Sequence, residues 1–170
     1  MESNARHQRR DMRDVHYHLP HPARDTPQPL PGPHFLVPFP ENKRFVGREG
    51  ILRRLKDSLF DDEHLCSTAV VGLGGVGKTQ VALQIAYRAR TLPSWSVFWL
   101  PALSKAAFDQ ACTEVVERLR IPTSGTEEAK QVVKAYLESN ASGRWLLVVD
   151  NAQGCRQINQ IRLGPKSDLN

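Results

Sequence analysis

The chain has 170 residues, of which 40% are hydrophobic and 24% charged, a composition typical of a globular domain rather than of a disordered chain. Its formal net charge of +5 is modest and dispersed, and it indicates no nucleic-acid partner. The cysteines Cys66, Cys112 and Cys155 form no CxxC pair, which argues against a disulfide framework and a zinc site. No apolar run has the length of a membrane span or a signal-peptide core. We therefore expect a cytoplasmic protein that binds neither nucleic acid nor membrane.

Residues 1–40 differ in composition from the rest of the chain. Eight of the twelve prolines and five of the six histidines lie there. Proline removes backbone donors, and the stretch has few apolar side chains to bury. The composition predicts a disordered Pro/His-rich arm over residues 1–40.

Helical and strand patterns alternate after residue 40. In chain order they predict a helix with an apolar stripe over 51–59, a buried parallel strand over 68–71, a helix over 80–90, a strand over 95–100, a helix capped by Ser104, a helix capped by Thr126, and a strand over 145–150. Strands that alternate with helices are typical of parallel β-α units. The pattern therefore predicts an α/β fold with a layered parallel sheet.

A phosphate-binding motif lies between the first predicted strand and the helix after it. Residues 72–79 read GLGGVGKT and fit G-x-x-x-x-G-K-[ST] without a gap. Glycines allow the backbone to approach phosphate oxygens closely, and the loop amides and helix N-terminus form an anion site. Lys78 is predicted to reach the β- and γ-phosphates, and the Thr79 hydroxyl to bind Mg²⁺. The predicted phosphate contacts are Gly72, Gly74, Gly75, Val76, Gly77, Lys78 and Thr79.

A second element agrees with this motif. Leu146 to Val149 are four apolar residues that end in the carboxylate of Asp150, the pattern of a strand that supplies a magnesium-directing aspartate. Magnesium dehydrates reluctantly, so Asp150 is predicted to hold the ion mostly through water. The predicted metal site is therefore Thr79 and Asp150.

The chain from about Asn42 to Ala152 resembles the NB-ARC domain of the STAND class of P-loop NTPases, the nucleotide switch of NOD-like and plant-resistance-type receptors, with a fungal character. The resemblance rests on Phe45 to Glu49, on the phosphate motif and on Leu146 to Asn151. It implies adenine contacts by Val46 and Arg48, Mg²⁺ with ATP or ADP as ligand, and related NB-ARC chains as oligomerisation partners. It also implies the three-layer parallel sheet of P-loop NTPases in the strand order 2-3-1-4-5. In that order the phosphate-loop strand is central and lies beside the third strand, the one that ends at Asp150.

Two departures from the family pattern affect the interpretation. The position after Asp150 is Asn151, where many P-loop ATPases have a second acid, so no catalytic residue is assigned and ATP hydrolysis is at most slow. Residues 153–170 lack a strand-like core run and are predicted to be an irregular tail. The later strands of the family sheet are therefore expected to be missing, which would leave the 68–71 strand as an open edge and the isolated chain marginally stable or in need of a partner.

The sequence thus predicts a partial NB-ARC nucleotide-binding domain over 41–152, in a chain interpreted as a fragment or a truncated gene model. Its leading function is an ADP/ATP-binding signalling switch. Two alternatives stay open. One is a P-loop phosphotransferase such as a small-molecule kinase, and the other is a non-enzymatic remnant that associates with intact relatives.

Overall fold

The computed structural model describes residues 28–61, 67–152 and 158–163. Their elements, in chain order, are β1 (Phe35–Leu36), α1 (Glu49–Lys56) with a π-helical turn (Asp57–Asp61), β2 (Ser67–Val71), α2 (Lys78–Arg90), β3 (Trp95–Pro101), α3 (Lys105–Leu119), α4 (Ala129–Glu138), a 3-10 turn (Asn140–Ser142), β4 (Arg144–Ala152) and β5 (Ile158–Leu163). Within the described part of the chain, no helix combines the length and apolarity needed to cross a membrane.

The predicted alternation of helices and strands is present from α1 to β4. The Ser104 hydroxyl accepts a hydrogen bond from the Ala107 amide and caps α3 as predicted, which satisfies one of the free donors of its first turn. The predicted cap at Thr126 is wrong, because α4 begins after Glu128. Thr126 instead lies within hydrogen-bonding distance of the Ser124 hydroxyl, 3.2 Å between the two oxygens, in the loop before the helix.

The five strands form one sheet in the order β1-β3-β4-β5-β2. Strands β1, β3 and β4 are parallel, whereas β5 is antiparallel to both β4 and β2. The mixed α/β architecture with three parallel strands is compatible with a P-loop NTPase fold.

The structure corrects three expectations about this sheet. The phosphate-loop strand β2 does not lie beside β4, because β5 lies between them. The segment 153–170 is not irregular throughout, since it supplies β5. Strand β2 is not a buried parallel strand either: it lies at the sheet edge, where Val71 is 59% exposed, and its edge position agrees with the open edge expected there.

The predicted disordered arm is wrong over its described part, residues 28–40. Phe35 and Leu36 form β1 and pair with β3, and the Leu30 amide donates to the Leu119 carbonyl at the end of α3. Phe39 stacks edge-on against Trp99. Aromatic contacts and an added strand hold this proline-rich segment on the domain, although its composition lacks a long apolar run. The predicted disorder of residues 1–27 lies outside the described residues.

Helices cover both faces of the parallel strands. Alternating side chains of β3 face opposite layers, since successive strand residues point to opposite sides. Val97 and Trp99 pack with α1 and α2, whereas Phe98 and Leu100 pack with α3 and α4. The sheet thus separates two apolar cores, and the layer of α1 and α2 carries the phosphate motif.

Candidate functional site

Glycines shape the loop that connects β2 to α2. Gly75 and Gly77 have φ angles of 76° and 87°, a left-handed conformation that L side chains rarely adopt. Gly77 is the N-cap residue of α2. At Gly72 the limit is space, because a Cβ there would lie 3.3 Å from Val76 Cγ2. The loop therefore turns tightly and leads directly into the helix N-terminus.

Lys78 folds back over this loop from the first position of α2. Its ammonium nitrogen lies 2.9 Å from the Gly72 carbonyl oxygen and 2.7 Å from the Leu73 carbonyl oxygen. The residue is only 8% exposed. Two carbonyl acceptors thus hold a buried cation against the loop backbone.

The structure brings Thr79 and Asp150 together from positions 71 residues apart. The Thr79 hydroxyl donates to Asp150 Oδ1 over 3.0 Å. Asp150 is 4% exposed, and its backbone oxygen accepts a hydrogen bond from the Ala102 amide just after β3. The contact forms although β5 separates β2 from β4, because the loop after β2 places the first turn of α2, where Thr79 lies, beside the end of β4.

Asp150 and Thr79 could contribute to a magnesium site. Among the residues that the structure describes, no group of three or more His, Cys, Asp or Glu side chains could hold a metal ion. Magnesium in nucleotide sites commonly uses one or two protein ligands, with phosphate oxygens and water completing the octahedron. The pair fits that pattern, and its role as a metal site stays a prediction.

The predicted adenine contacts occupy different environments. Arg48 has a left-handed φ of 62° at the start of α1, and its Nη2 donates to the Val76 carbonyl oxygen over 2.9 Å. Val46 is 86% exposed. The structure therefore brings Arg48 to the phosphate loop and leaves Val46 on the surface, while contact of either residue with a base stays a prediction.

Asn151 follows Asp150 in a distorted part of β4. Its φ is 58°, and the β4–β5 ladder shifts register between Val149 and Ala152. The Asn151 side chain is an amide, which cannot accept a proton as a general base at neutral pH. Slow or negligible hydrolysis stays a prediction, and the neighbouring Gln153 lies outside the described residues.

Sequence reasoning missed three polar residues beside the motif. Asn42 Nδ2 donates to Gln80 Oε1 over 2.9 Å, and Gln84 Nε2 donates to the Asn42 backbone oxygen over 3.1 Å. Gln80 and Gln84 lie four residues apart and therefore on one face of α2. That spacing directly after Thr79 was the only signal in the sequence, and it does not identify Asn42 as the partner.

A cavity of about 410 Å³ lies apart from the phosphate loop. It is bounded by the 36–38 segment and by one face of α3, with Pro101 and Ala111 among its lining residues. None of the predicted phosphate, metal or adenine contacts lines it. The chemistry of the candidate site therefore resides in the exposed loop and the N-terminus of α2, not in this cavity.

Comparison with known proteins finds a similar protein whose name indicates its class. A nucleotide-binding leucine-rich repeat (NLR)-like protein from Hyaloscypha variabilis is 42% identical over 125 residues, which is 70% of this chain but only 13% of that protein. No family model and no solved structure matches. The chain is thus related to an NLR-like protein, of whose length it spans about an eighth.

Proposed function

We propose that this chain is an NB-ARC-type domain of the STAND P-loop NTPases that binds ADP and ATP with Mg²⁺ and acts as a nucleotide switch in NLR-like signalling. The observation that carries the proposal is the arrangement of Lys78 over the glycine loop with the Thr79 hydroxyl on Asp150, 3.0 Å away. The relationship to an NLR-like protein supports it.

Each part of the site has a distinct task in the proposed binding mode. The loop amides from Gly72 to Gly77 and the N-terminus of α2 bind the phosphate chain. Lys78 neutralises phosphate charge, and Thr79 with Asp150 holds the magnesium ion, Asp150 mostly through water. Val46 and Arg48 contact the adenine.

We propose that the domain acts as a conformational switch and not as an enzyme that turns over ATP rapidly. The γ-phosphate of ATP biases a two-state arrangement, as in other nucleotide switches, and related NB-ARC chains are the proposed partners of the ATP-bound state. Hydrolysis is slow, because Asn151 cannot act as a base at the position after Asp150. Phosphate release from ATP by the wild-type protein should equal the release by Asp150→Ala, and steady release that this substitution abolishes would contradict slow turnover.

Calorimetric titration with Mg-ADP tests the site directly. We expect binding that weakens when magnesium is chelated, and Thr79→Val should remove most of this magnesium dependence because it keeps the shape but lacks the hydroxyl. Thr113→Val is the matched control, since the Thr113 hydroxyl donates to the Asp109 carbonyl oxygen on α3, away from the loop. Equal magnesium dependence in the wild type and Thr79→Val would contradict the metal site, and no binding of ADP or ATP by the wild type would contradict the function.

A further inference from the structure

Four hydrogen bonds converge on Asn42, six residues before Arg48. Its side-chain amide donates to Gln80, and its backbone oxygen accepts from the Gln84 side chain. The same backbone oxygen accepts from the Phe45 amide over 3.1 Å, and Asn42 Oδ1 accepts from the Arg44 amide, also over 3.1 Å. Asn42 therefore closes its own turn and ties that turn to α2.

The residue type suits this position. Asparagine is favoured at the first position of a β-turn, where its side-chain oxygen can accept from the backbone two residues on. Its remaining NH₂ group is then free to reach Gln80. Asn42 is half-buried at this contact, where an unmet polar group costs more than it does in water.

Residues 42–48, termed the base-side segment, are held at three points. Asn42 bonds to α2, Phe45 packs against the core of the α1–α2 layer, and Arg48 donates to Val76 in the phosphate loop. Gln80 immediately follows Thr79, so the first of these attachments lies on the helical turn that carries Lys78. The base-side segment and the phosphate loop are therefore fixed to the same two turns of α2.

The end of the base-side segment has an unusual backbone. Gly47 and Arg48 both have positive φ, 78° and 62°, and such a conformation at a non-glycine residue persists only where the surroundings determine it. Val46 lies between the attachments and is exposed. Its position relative to the loop thus depends on the contacts on either side of it.

We infer that Asn42, through Gln80 and Gln84, is a positioning residue that sets the distance between the base side and the phosphate side of the site. This inference rests on the proposed function. Asn42 need not touch the nucleotide, because it acts through the base-side segment. Its loss therefore weakens contacts to the base and leaves the phosphate contacts of the loop in place.

Comparison of Mg-ADP with Mg-tripolyphosphate tests the inference, since tripolyphosphate has no base. Asn42→Ala and Gln80→Ala should each weaken ADP binding about tenfold, a loss comparable to one or two hydrogen bonds, and should change tripolyphosphate binding by less than about twofold. The double variant should bind ADP no more weakly than either single variant, because both remove the same contact. Gln131→Ala, an exposed glutamine on α4, is the matched control and should bind both ligands as the wild type does.

The possible outcomes separate the inference from the function on which it rests. The positioning role is overturned, while the nucleotide site stands, if the wild type binds ADP and Asn42→Ala weakens the binding of ADP and tripolyphosphate to the same extent. The same conclusion follows if Asn42→Ala weakens the binding of neither ligand. If the wild type binds neither ligand, the proposed function fails and the inference fails with it. Selective loss of ADP binding in both single variants supports the inference.

Discussion

Gly77 has a backbone conformation at the start of α2 that other residues adopt only with strain. Its φ is 87°, whereas Gly50 in α1 has no positive φ and a Cβ there would meet nothing within 4 Å. Gly77→Ala should lower the free energy of unfolding by about 1–2 kcal/mol, and Gly50→Ala should raise it by roughly 0.4–1 kcal/mol. Urea denaturation of both variants measures the difference, and equal effects of the two substitutions would contradict the loop geometry.

Cys112 is a buried thiol whose ionisation links stability to pH. Burial, aided by the Asp109 carboxylate, raises its pKa from 9.0 to about 11. The unfolded chain therefore loses this proton first. The contribution of Cys112 to the free energy of unfolding is constant well below pH 9 and falls as the pH rises from 9 toward 11. Cys66 and Cys155 lie outside the described residues.

Unfolding by urea between pH 8 and 10.5 checks this linkage. The free energy of unfolding of the wild type should fall more steeply above pH 9 than that of Cys112→Ala, which lacks the titrating group. Parallel pH profiles for the two proteins would show that the Cys112 thiol ionises as readily in the folded state as in the unfolded one.

The contacts of single residues differed in how far the sequence could predict them. The spacing of the phosphate motif and of Asp150 predicted that Thr79 and Asp150 would lie together, and the structure has a hydrogen bond between them. Binding of phosphate and Mg²⁺ by these residues stays a prediction. Nothing comparable marks Asn42. Its contact with Gln80 joins residues 38 positions apart, and the partner of a single amide side chain cannot be predicted from a sequence pattern.

At the scale of elements, periodicity predicted the central helices and strands but not β1 and β5. The helices α2 and α3 and the strands β3 and β4 have long apolar patterns, and these can be recognised from the local sequence alone. Strand β1 has two residues in a proline-rich segment, and β5 (INQIRL) lacks both an apolar run and a regular alternation. Both are strands because a neighbouring strand pairs with them, and that is a property of the tertiary fold.

Strand β2 is an edge without the usual protection against association. Its sequence STAVV contains no proline and no charge, and natural edges commonly carry one or the other. We expect the wild-type chain to self-associate as its concentration rises. Ala69→Lys should reduce that association, because Ala69 is exposed in the middle of β2 and a lysine there disfavours strand addition.

Sedimentation velocity over a range of concentrations measures this effect. Ala106→Lys serves as the control, because Ala106 is exposed on α3 and the lysine adds the same charge away from the edge. We expect this variant to associate as the wild type does. A wild-type protein that stays monodisperse and monomeric at every concentration would contradict the prediction.

For the whole molecule, the predicted α/β layering agrees with the structure, whereas the predicted strand neighbours do not. The layers follow from which face of each helix is apolar, a local property that the sequence contains. The position of β5 between β4 and β2 depends on the pairing of β5 with β2, two strands that are far apart in the sequence, and local patterns do not specify such a pairing. The loop nevertheless places Thr79, at the start of α2, within hydrogen-bonding distance of Asp150.

Thermal unfolding with and without Mg-ADP is the most direct test of the central claim, that this chain forms a folded adenine-nucleotide site. ADP at about a hundred times its dissociation constant should stabilise the wild type by roughly 2.7 kcal/mol. The increase in Tm should be absent in Lys78→Ala and smaller with GDP, with each protein compared with its own unliganded Tm. An unfolding transition that nucleotide does not shift, or an equal shift in Lys78→Ala, would contradict the account.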